Sequence, residues 1–268
     1  MSKAVSRTET TTETNHTVTV ELKTSGIRRD DDPNAKENLK GFIPLLVLAL
    51  ILGLLPVLLI IYWTFNYAGG LGFTVRNVFN WHPILLSISF IYLTGSGILT
   101  FRILRNLPKN TLKLIHASVK GVNCVLAVIG VWAAFNFHAK ANIPDLYTMH
   151  SWIGMLTLVV YIAQAFAGLY AFLYPGIQTS SRATLMPYHR FAGQVLLALS
   201  IMCAVTGINE KAIFKLQNAY GEKIFEGNLL NMCGILFTLF GIVVIYISSN
   251  LDYKRYPRFE DTVPDRNK

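Results

Sequence analysis

Four histidines, His82, His116, His150 and His189, stand 34, 34 and 39 residues apart, each at one end of a separate apolar run. Imidazole nitrogen binds iron, copper or zinc. Each interval is one membrane crossing plus a short loop, and consecutive crossings run in opposite directions. His82 and His150 therefore share one side of a bilayer, and His116 and His189 share the other. Two pairs of imidazoles, one near each face, are the donor set for two haems with both axial positions filled. Such an iron has no open position for oxygen, so its natural work is electron transfer. The chain contains no C-x-x-C-H, so the haems would be non-covalent, of b type.

Other chemistries fit less well. A single histidine in a helix is usually a satisfied polar core residue, but ionisable residues inside a membrane are costly and point to function. Structural zinc gathers its four ligands in one place, whereas these divide between two faces. A divalent-cation transporter or a proton pump needs carboxylates along its path, and the six spans delimited below hold no Asp or Glu. The alternative reading, from another functional class, is a histidine-lined metal-ion carrier without haem. A red preparation with a haem absorption band would distinguish the two.

The elements that position these residues are long and apolar. Of the 268 residues, 52 % are hydrophobic and 15 % charged. A helix crossing the hydrocarbon core needs about 20 apolar residues. The sequence offers six spans, Phe42 to Phe65, Trp81 to Phe101, Leu114 to Phe137, Tyr147 to Leu173, Tyr188 to Ile208 and Leu229 to Leu251. Backbone groups cannot go unsatisfied in lipid, and the span lengths select helices over barrel strands. An all-α membrane protein is expected, with helices two to five forming a four-helix bundle around two haems. The first span is no signal peptide, because a polar stretch precedes it. Cys124, Cys203 and Cys233 all fall within spans, as small buried hydrophobes.

Lys and Arg set the orientation. With the N-terminus inside, the cytoplasmic flanks carry sixteen of them and the opposite side five, Arg76, Lys140, Lys211, Lys215 and Lys223. Both termini are thus expected in the cytoplasm. The net charge of +9 is a membrane-orientation signal, with no soluble basic domain to engage nucleic acid. Residues 1–40 read as a disordered cytoplasmic tail, whose Asn15-His16-Thr17 sequon would face the wrong side for glycosylation. Residues 41–251 form the membrane domain, and 252–268 a basic cytoplasmic tail. In that tail Tyr256-Pro257-Arg258-Phe259 resembles a tyrosine-based sorting signal. The loop from Asn209 to Asn228 is expected to fold over the non-cytoplasmic mouth.

Pro83 and Pro187 are expected in the first turns of spans two and five, where a missing N–H costs nothing, which puts His82 and His189 at helix starts. Sites one to two turns deep from each face would lie roughly 15–20 Å apart. Gly154 and Gly193 follow His150 and His189 by four residues, on the ligand face, where a missing side chain would admit a macrocycle. Lys120 follows His116 by the same interval. It either snorkels to the interface or, the favoured reading, pairs with a haem propionate.

Several motifs resemble the cytochrome b561 family. They are Phe79-Asn80-Trp81-His82-Pro83, Lys113-Leu114-Ile115-His116-Ala117, Asp145 to Gly154 with its His150-Ser151-Trp152-x-Gly154 core, Met186-Pro187-Tyr188-His189, and Gly207-Ile208-Asn209-Glu210-Lys211. The resemblance spans roughly residues 42–255. It implies a six-helix protein, usually a homodimer, with two b haems ligated by His82 with His150 and by His116 with His189. It also implies an ascorbate-dependent oxidoreductase of the plasma membrane or of endolysosomal or secretory vesicles. Cytosolic ascorbate would give one electron, which leaves on the far side to monodehydroascorbate or ferric iron. Lys120 departs from the polar or neutral residue expected in relatives.

The resemblance also implies substrate sites. Lys109, Lys113 and Arg182 look like the cytoplasmic ascorbate-binding cations, and Arg105, in the run from Gly97 to Arg105, is a weaker candidate. A site for ascorbate should offer cations and a proton acceptor such as a haem-linked imidazole. On the far side Phe137, His138 and Tyr147 resemble the second substrate pocket.

Overall fold

The computed structural model describes residues 39–256. Except for Leu39 and Lys40, the expected N-terminal tail lies outside the described residues, as does the sorting-type motif beyond Tyr256. Six helices are long and apolar enough to cross a membrane: α1 Phe42–Tyr67, α2 Val78–Ile103, α3 Lys109–Ala141, α4 Met149–Phe172, α5 Thr179–Leu216 and α6 Phe225–Ser249. Each coincides with one of the expected spans, although the spans Tyr147 to Leu173 and Leu229 to Leu251 run one or two residues past the ends of α4 and α6, and no strand occurs among the described residues. The outward face of α1 is a continuous apolar stripe, Ile43, Val47, Ile51, Leu54, Leu58, Tyr62 and Phe65, each at least 45 % exposed. Steps of three and four residues put these side chains on one helix face, and that much exposed apolar surface requires lipid. The protein is an integral, multi-pass membrane protein.

Helices α2 to α5 form the bundle, and α1 and α6 pack against it. Phe240 of α6 fills the space left by two glycines: a Cβ on Gly95 would lie 2.4 Å from its ring, and one on Gly53 2.8 Å. Small residues let membrane helices approach closely. Phe237, Val244 and Ile247 of α6 and Trp63 of α1 are almost completely buried there. The bundle interior holds a second cluster, Phe90, Ala127, Leu158, Tyr161 and Leu196.

α2 is not uniform. Its turn through Ser87–Leu93 is π-helical, and such widened turns mark functional helices. The π turn lies between His82 and Gly97, two residues that belong to opposite ends of the bundle.

Two expectations are corrected. α5 begins at Thr179, so Pro187 sits inside the helix and His189 is not at its start. The polar turns Thr179 to Thr184 continue the helix beyond the apolar span, where hydropathy gives no signal. The same helix runs on to Leu216, so much of the expected loop from Asn209 to Asn228 is helical. Glu210 and Glu226, outside the spans drawn from sequence, lie within the ends of α5 and α6.

Candidate haem centres and substrate cavities

The four histidines meet in twos. His82 and His150 have ring centroids 5.9 Å apart, with planes at 86°. His116 and His189 are 6.2 Å apart, with planes at 68°. Two metal–nitrogen bonds of about 2 Å each, plus the two ring radii, span about 6 Å. The pairs thus have the separation of axial ligands to one metal atom each. Among the described residues no group of three or more His, Cys, Asp or Glu side chains converges to hold a metal ion.

Three of the imidazoles have one nitrogen bonded to backbone. His82 Nδ1 lies 3.0 Å from the Gly130 carbonyl, His116 Nδ1 2.9 Å from that of Gly97, and His150 Nδ1 2.9 Å from that of Cys203. A carbonyl only accepts, so each Nδ1 carries the proton and Nε2 keeps its lone pair for a metal. This is the usual way an outer hydrogen bond fixes tautomer and ring direction. His189 is held differently: Phe172 packs 5.1 Å from its ring, and a Cβ on Gly168 would lie 2.9 Å from its Cε1. Likewise a Cβ on Gly207 would lie 2.6 Å from Cε1 of His150. The residues present fit two haem irons.

That Gly97, Gly130 and Cys203 hold histidines through their carbonyls, and that Gly168 and Gly207 pack against them, was not visible in the sequence, although Gly97 and Gly207 open two of the family-like runs. Gly154 and Gly193 were expected to line the haem slots. Among protein atoms, a Cβ on Gly154 would meet Cys203 Sγ at 3.2 Å, and one on Gly193 would meet Gln164 Nε2 at 3.7 Å. Cys203 is more than a small filler, because its Sγ also lies 3.4 Å from His150 Nδ1. All three cysteines are free.

The motifs explain themselves around these pairs. Phe79 stacks on His82 at 5.6 Å. Asn80 is buried and donates to the carbonyls of Ala68 and Gly70 at 3.0 and 2.7 Å, and Trp81 Nε1 donates to Gly72 at 3.1 Å. Together they fasten the loop between α1 and α2 over the ligand. At the start of α4, Thr148 and Ser151 form a capping box that flanks His150, and Trp152 Nε1 donates to the Leu146 carbonyl at 2.8 Å. Glu210 accepts from Thr148 Oγ1 at 3.3 Å, and Lys211 lies over the Phe79 ring at 4.4 Å.

A cavity of about 340 Å³ opens beside the His116–His189 pair. It is lined by Asn110, Lys113 and Leu114 of α3, by Phe172 and the Leu173 to Ile177 turn, and by Arg182. Lys113 and Arg182 are thus brought together, and Phe172 connects the cavity to His189. Lys109, the first residue of α3, is exposed and outside this lining. Arg105 is 7 % exposed and turned inward, with its Nη2 3.2 Å from the Tyr253 carbonyl.

At the His82–His150 end, Phe137 packs 5.3 Å from Phe79, and His138 pairs with Asp145 at 3.0 Å. Tyr147 is 55 % exposed. A separate cavity of about 300 Å³ is lined by Tyr67, Ala68, Arg76, Asn80, Lys211, Phe214 and Lys215. It was not anticipated, because its cations come from α5 and from the α1–α2 loop. Lys215 is partly neutralised there by Glu226, which also accepts from Trp63 Nε1 at 2.7 Å.

Lys120 does not extend toward the headgroups. Its Nζ lies 3.4 Å from the Thr94 carbonyl and 5.4 Å from the Tyr161 ring centre. Tyr161 accepts from Asn123 Nδ2 at 2.7 Å, and Asn123 is fully buried.

Residues 81–215 match the family model described as eukaryotic cytochrome b561. The chain is 36 % identical over 234 residues to the plasma membrane ascorbate-dependent reductase CYBRD1 of Rattus norvegicus, covering 86 % of this chain and 82 % of that protein. It is also 36 % identical over 226 residues to the transmembrane ascorbate-dependent reductase CYB561 of Sus scrofa, covering 84 % and 90 %. The match contains all four paired histidines, and the chain is a member of the cytochrome b561 family.

Proposed function

We propose that this protein is an ascorbate-dependent transmembrane oxidoreductase. It would carry single electrons from cytosolic ascorbate to an acceptor on the opposite side, through two b haems per chain. The observation that carries this reading is the pair of imidazole couples at opposite ends of one bundle, each beside a cationic cavity. A haem iron between two imidazoles supplies a one-electron carrier with no open coordination position. Both termini are cytoplasmic, so the Lys113–Arg182 cavity faces ascorbate and the Arg76–Lys211–Lys215 cavity faces the acceptor.

Each part of the chain then has work to do. Lys113 and Arg182 hold an ascorbate monoanion by charge-assisted hydrogen bonds. Phe172 lines that cavity and touches His189, so the substrate is bound one aromatic ring away from a ligand. Ascorbate must release a proton as it is oxidised. With Nε2 on the iron, His189 can receive it only at an Nδ1 that carries no hydrogen, as the imidazolate; no carbonyl among the described residues fixes a hydrogen there, whereas Nδ1 of the other three donates to backbone.

On the far side, Phe79 stacks on His82 beneath the Lys211 ammonium. A ferric chelate or monodehydroascorbate, both anionic, suits the cations around it; Phe137 packs against Phe79, and with His138 and Tyr147 it would complete the contacts to the acceptor. Lys120 serves as the cation for a propionate of the His116–His189 haem. The chain works as a homodimer in the plasma membrane or a vesicle membrane.

The deciding experiment uses proteoliposomes loaded with ascorbate on the Lys113 side, with a ferric chelate or monodehydroascorbate outside. The expected result is reduction of the external acceptor that requires both ascorbate and haem. A colourless, haem-free protein that moves metal ions would overturn the reading.

A further inference from the structure

The cytoplasmic cavity depends on a residue that does not line it. Arg255, just past α6, donates Nε–H to the Arg105 carbonyl at 3.0 Å and an Nη2 hydrogen to the Leu107 carbonyl at 3.1 Å. Leu107 directly precedes Pro108, the N-cap of α3. The first turns of α3 carry Asn110, Lys113 and Leu114, one wall of the cavity. The fork therefore grips the chain where it turns into the helix that presents Lys113.

The grip belongs to a larger clamp. Arg105 Nη2 donates to the Tyr253 carbonyl at 3.2 Å, and the Tyr253 hydroxyl donates to the Lys40 carbonyl at 3.1 Å. Arg102 donates to the Asn250 carbonyl at 2.8 Å and also to that of Ser248. Ser248 Oγ accepts from Gln194 Nε2 at 2.8 Å, and Gln194 lies little more than a turn beyond His189 on α5. The segment after α6 thus binds the α2–α3 loop, and the last turn of α6 binds the helix that carries Arg182 and His189. Arg102 and Arg105 are 6 % and 7 % exposed, so their guanidinium groups serve this clamp rather than a substrate.

We propose that Arg255 is a positioning residue for the anion site: by fixing the α2–α3 loop it sets where Lys113 stands relative to Arg182. The proposal rests on the reading of the Lys113–Arg182 cavity as the ascorbate site. A planar fork reaches two carbonyls at once, which an ammonium on a flexible stem does not do as well. Arg255→Lys should therefore be intermediate between wild type and Arg255→Ala.

The test is steady-state and stopped-flow reduction by ascorbate of the purified full-length holoprotein, comparing wild type, Arg255→Ala, Arg255→Lys and Lys113→Ala. Arg255→Ala is expected to raise the KM for ascorbate about fivefold. The maximal rate, haem content and reduction by dithionite should stay at wild-type values. Arg255→Lys should fall between, and guanidinium ion in the buffer should partly restore Arg255→Ala. A normal KM in Arg255→Ala alongside a raised KM in Lys113→Ala overturns the positioning role alone. A normal KM in both overturns the cavity reading with it. Loss of haem in Arg255→Ala and Arg255→Lys alike would show a purely architectural residue and also overturn the proposal.

Discussion

Gly207 presents its bare Cα to His150: a Cβ there would lie 2.6 Å from the ring's Cε1 and 2.8 Å from Nδ1. The imidazole cannot slide away cheaply, because its Nδ1–H is held by the Cys203 carbonyl at 2.9 Å. Gly207→Val is expected to displace His150 and halve the haem content, sparing the His116–His189 centre. Gly168→Val should do the reverse, through the 2.9 Å approach to His189. Haem-to-protein ratios and redox titration of the remaining centre check both, and full haem content in either variant contradicts the packing argument.

The pairing itself makes a simpler prediction. His82→Ala and His150→Ala should each remove the same haem, because losing one axial nitrogen opens the iron and loosens the bonds that hold it. His116→Ala and His189→Ala should each remove the other. Double variants within a pair should retain as much haem as singles, and double variants across pairs should retain almost none. Absorption spectra of the purified variants decide this.

Lys113→Ala and Arg182→Ala should weaken reduction by ascorbate while dithionite reduction stays normal. Each removes one charged contact to a monoanion, worth about 1.5 kcal/mol or roughly a tenfold rise in KM. The effect of added salt should be smaller in the variants, since fewer charges attract the substrate. Lys109→Ala is the internal comparison: it lies outside the cavity lining and should change KM much less. Equal effects at all three positions would mean a general surface potential and no defined site.

Much of this site was legible because it depends on one-dimensional spacing. Crossing length and the alternation of sides place His82 with His150 and His116 with His189 without any knowledge of packing. What holds the imidazoles was not legible. Gly97, Gly130, Gly168, Gly207 and Cys203 are close to a histidine only because faces of different helices meet, and neither hydropathy nor motif spacing reports which faces those are. The extent of α5 failed for another reason. Thr179 to Thr184 are helical without being apolar, so a membrane-span criterion stops short of them and misplaces Pro187 at a helix start. The Arg76–Lys211–Lys215 cavity was hidden in the same way, Arg76 being more than a hundred residues from Lys211 and Lys215 and joined to them only by the fold.

Lys120 offers the sharpest electrostatic test. Its ammonium lies against Thr94 and Tyr161, while the neighbouring turn of α2 supplies Gly97, whose carbonyl holds His116. Thr94 is one turn farther along α2 toward the His82 end than Gly97, so the charge is at least as deep as the ligand and does not reach the headgroups. A cation near an iron favours the state with one more electron and raises its potential. At ~10 Å and an effective dielectric of about 20 the interaction is about 1.7 kcal/mol, or about 70 mV for a one-electron couple. If a propionate pairs with Lys120, removing the cation also leaves that carboxylate uncompensated, which acts in the same direction. Lys120→Met should therefore lower the potential of the His116–His189 haem by tens of millivolts and move the other haem less. Redox titration of the variant against the parent, followed by absorbance, reads both. An unchanged potential would mean that the charge is screened, and a rise would mean that Lys120 answers to a group of the opposite effect on the iron.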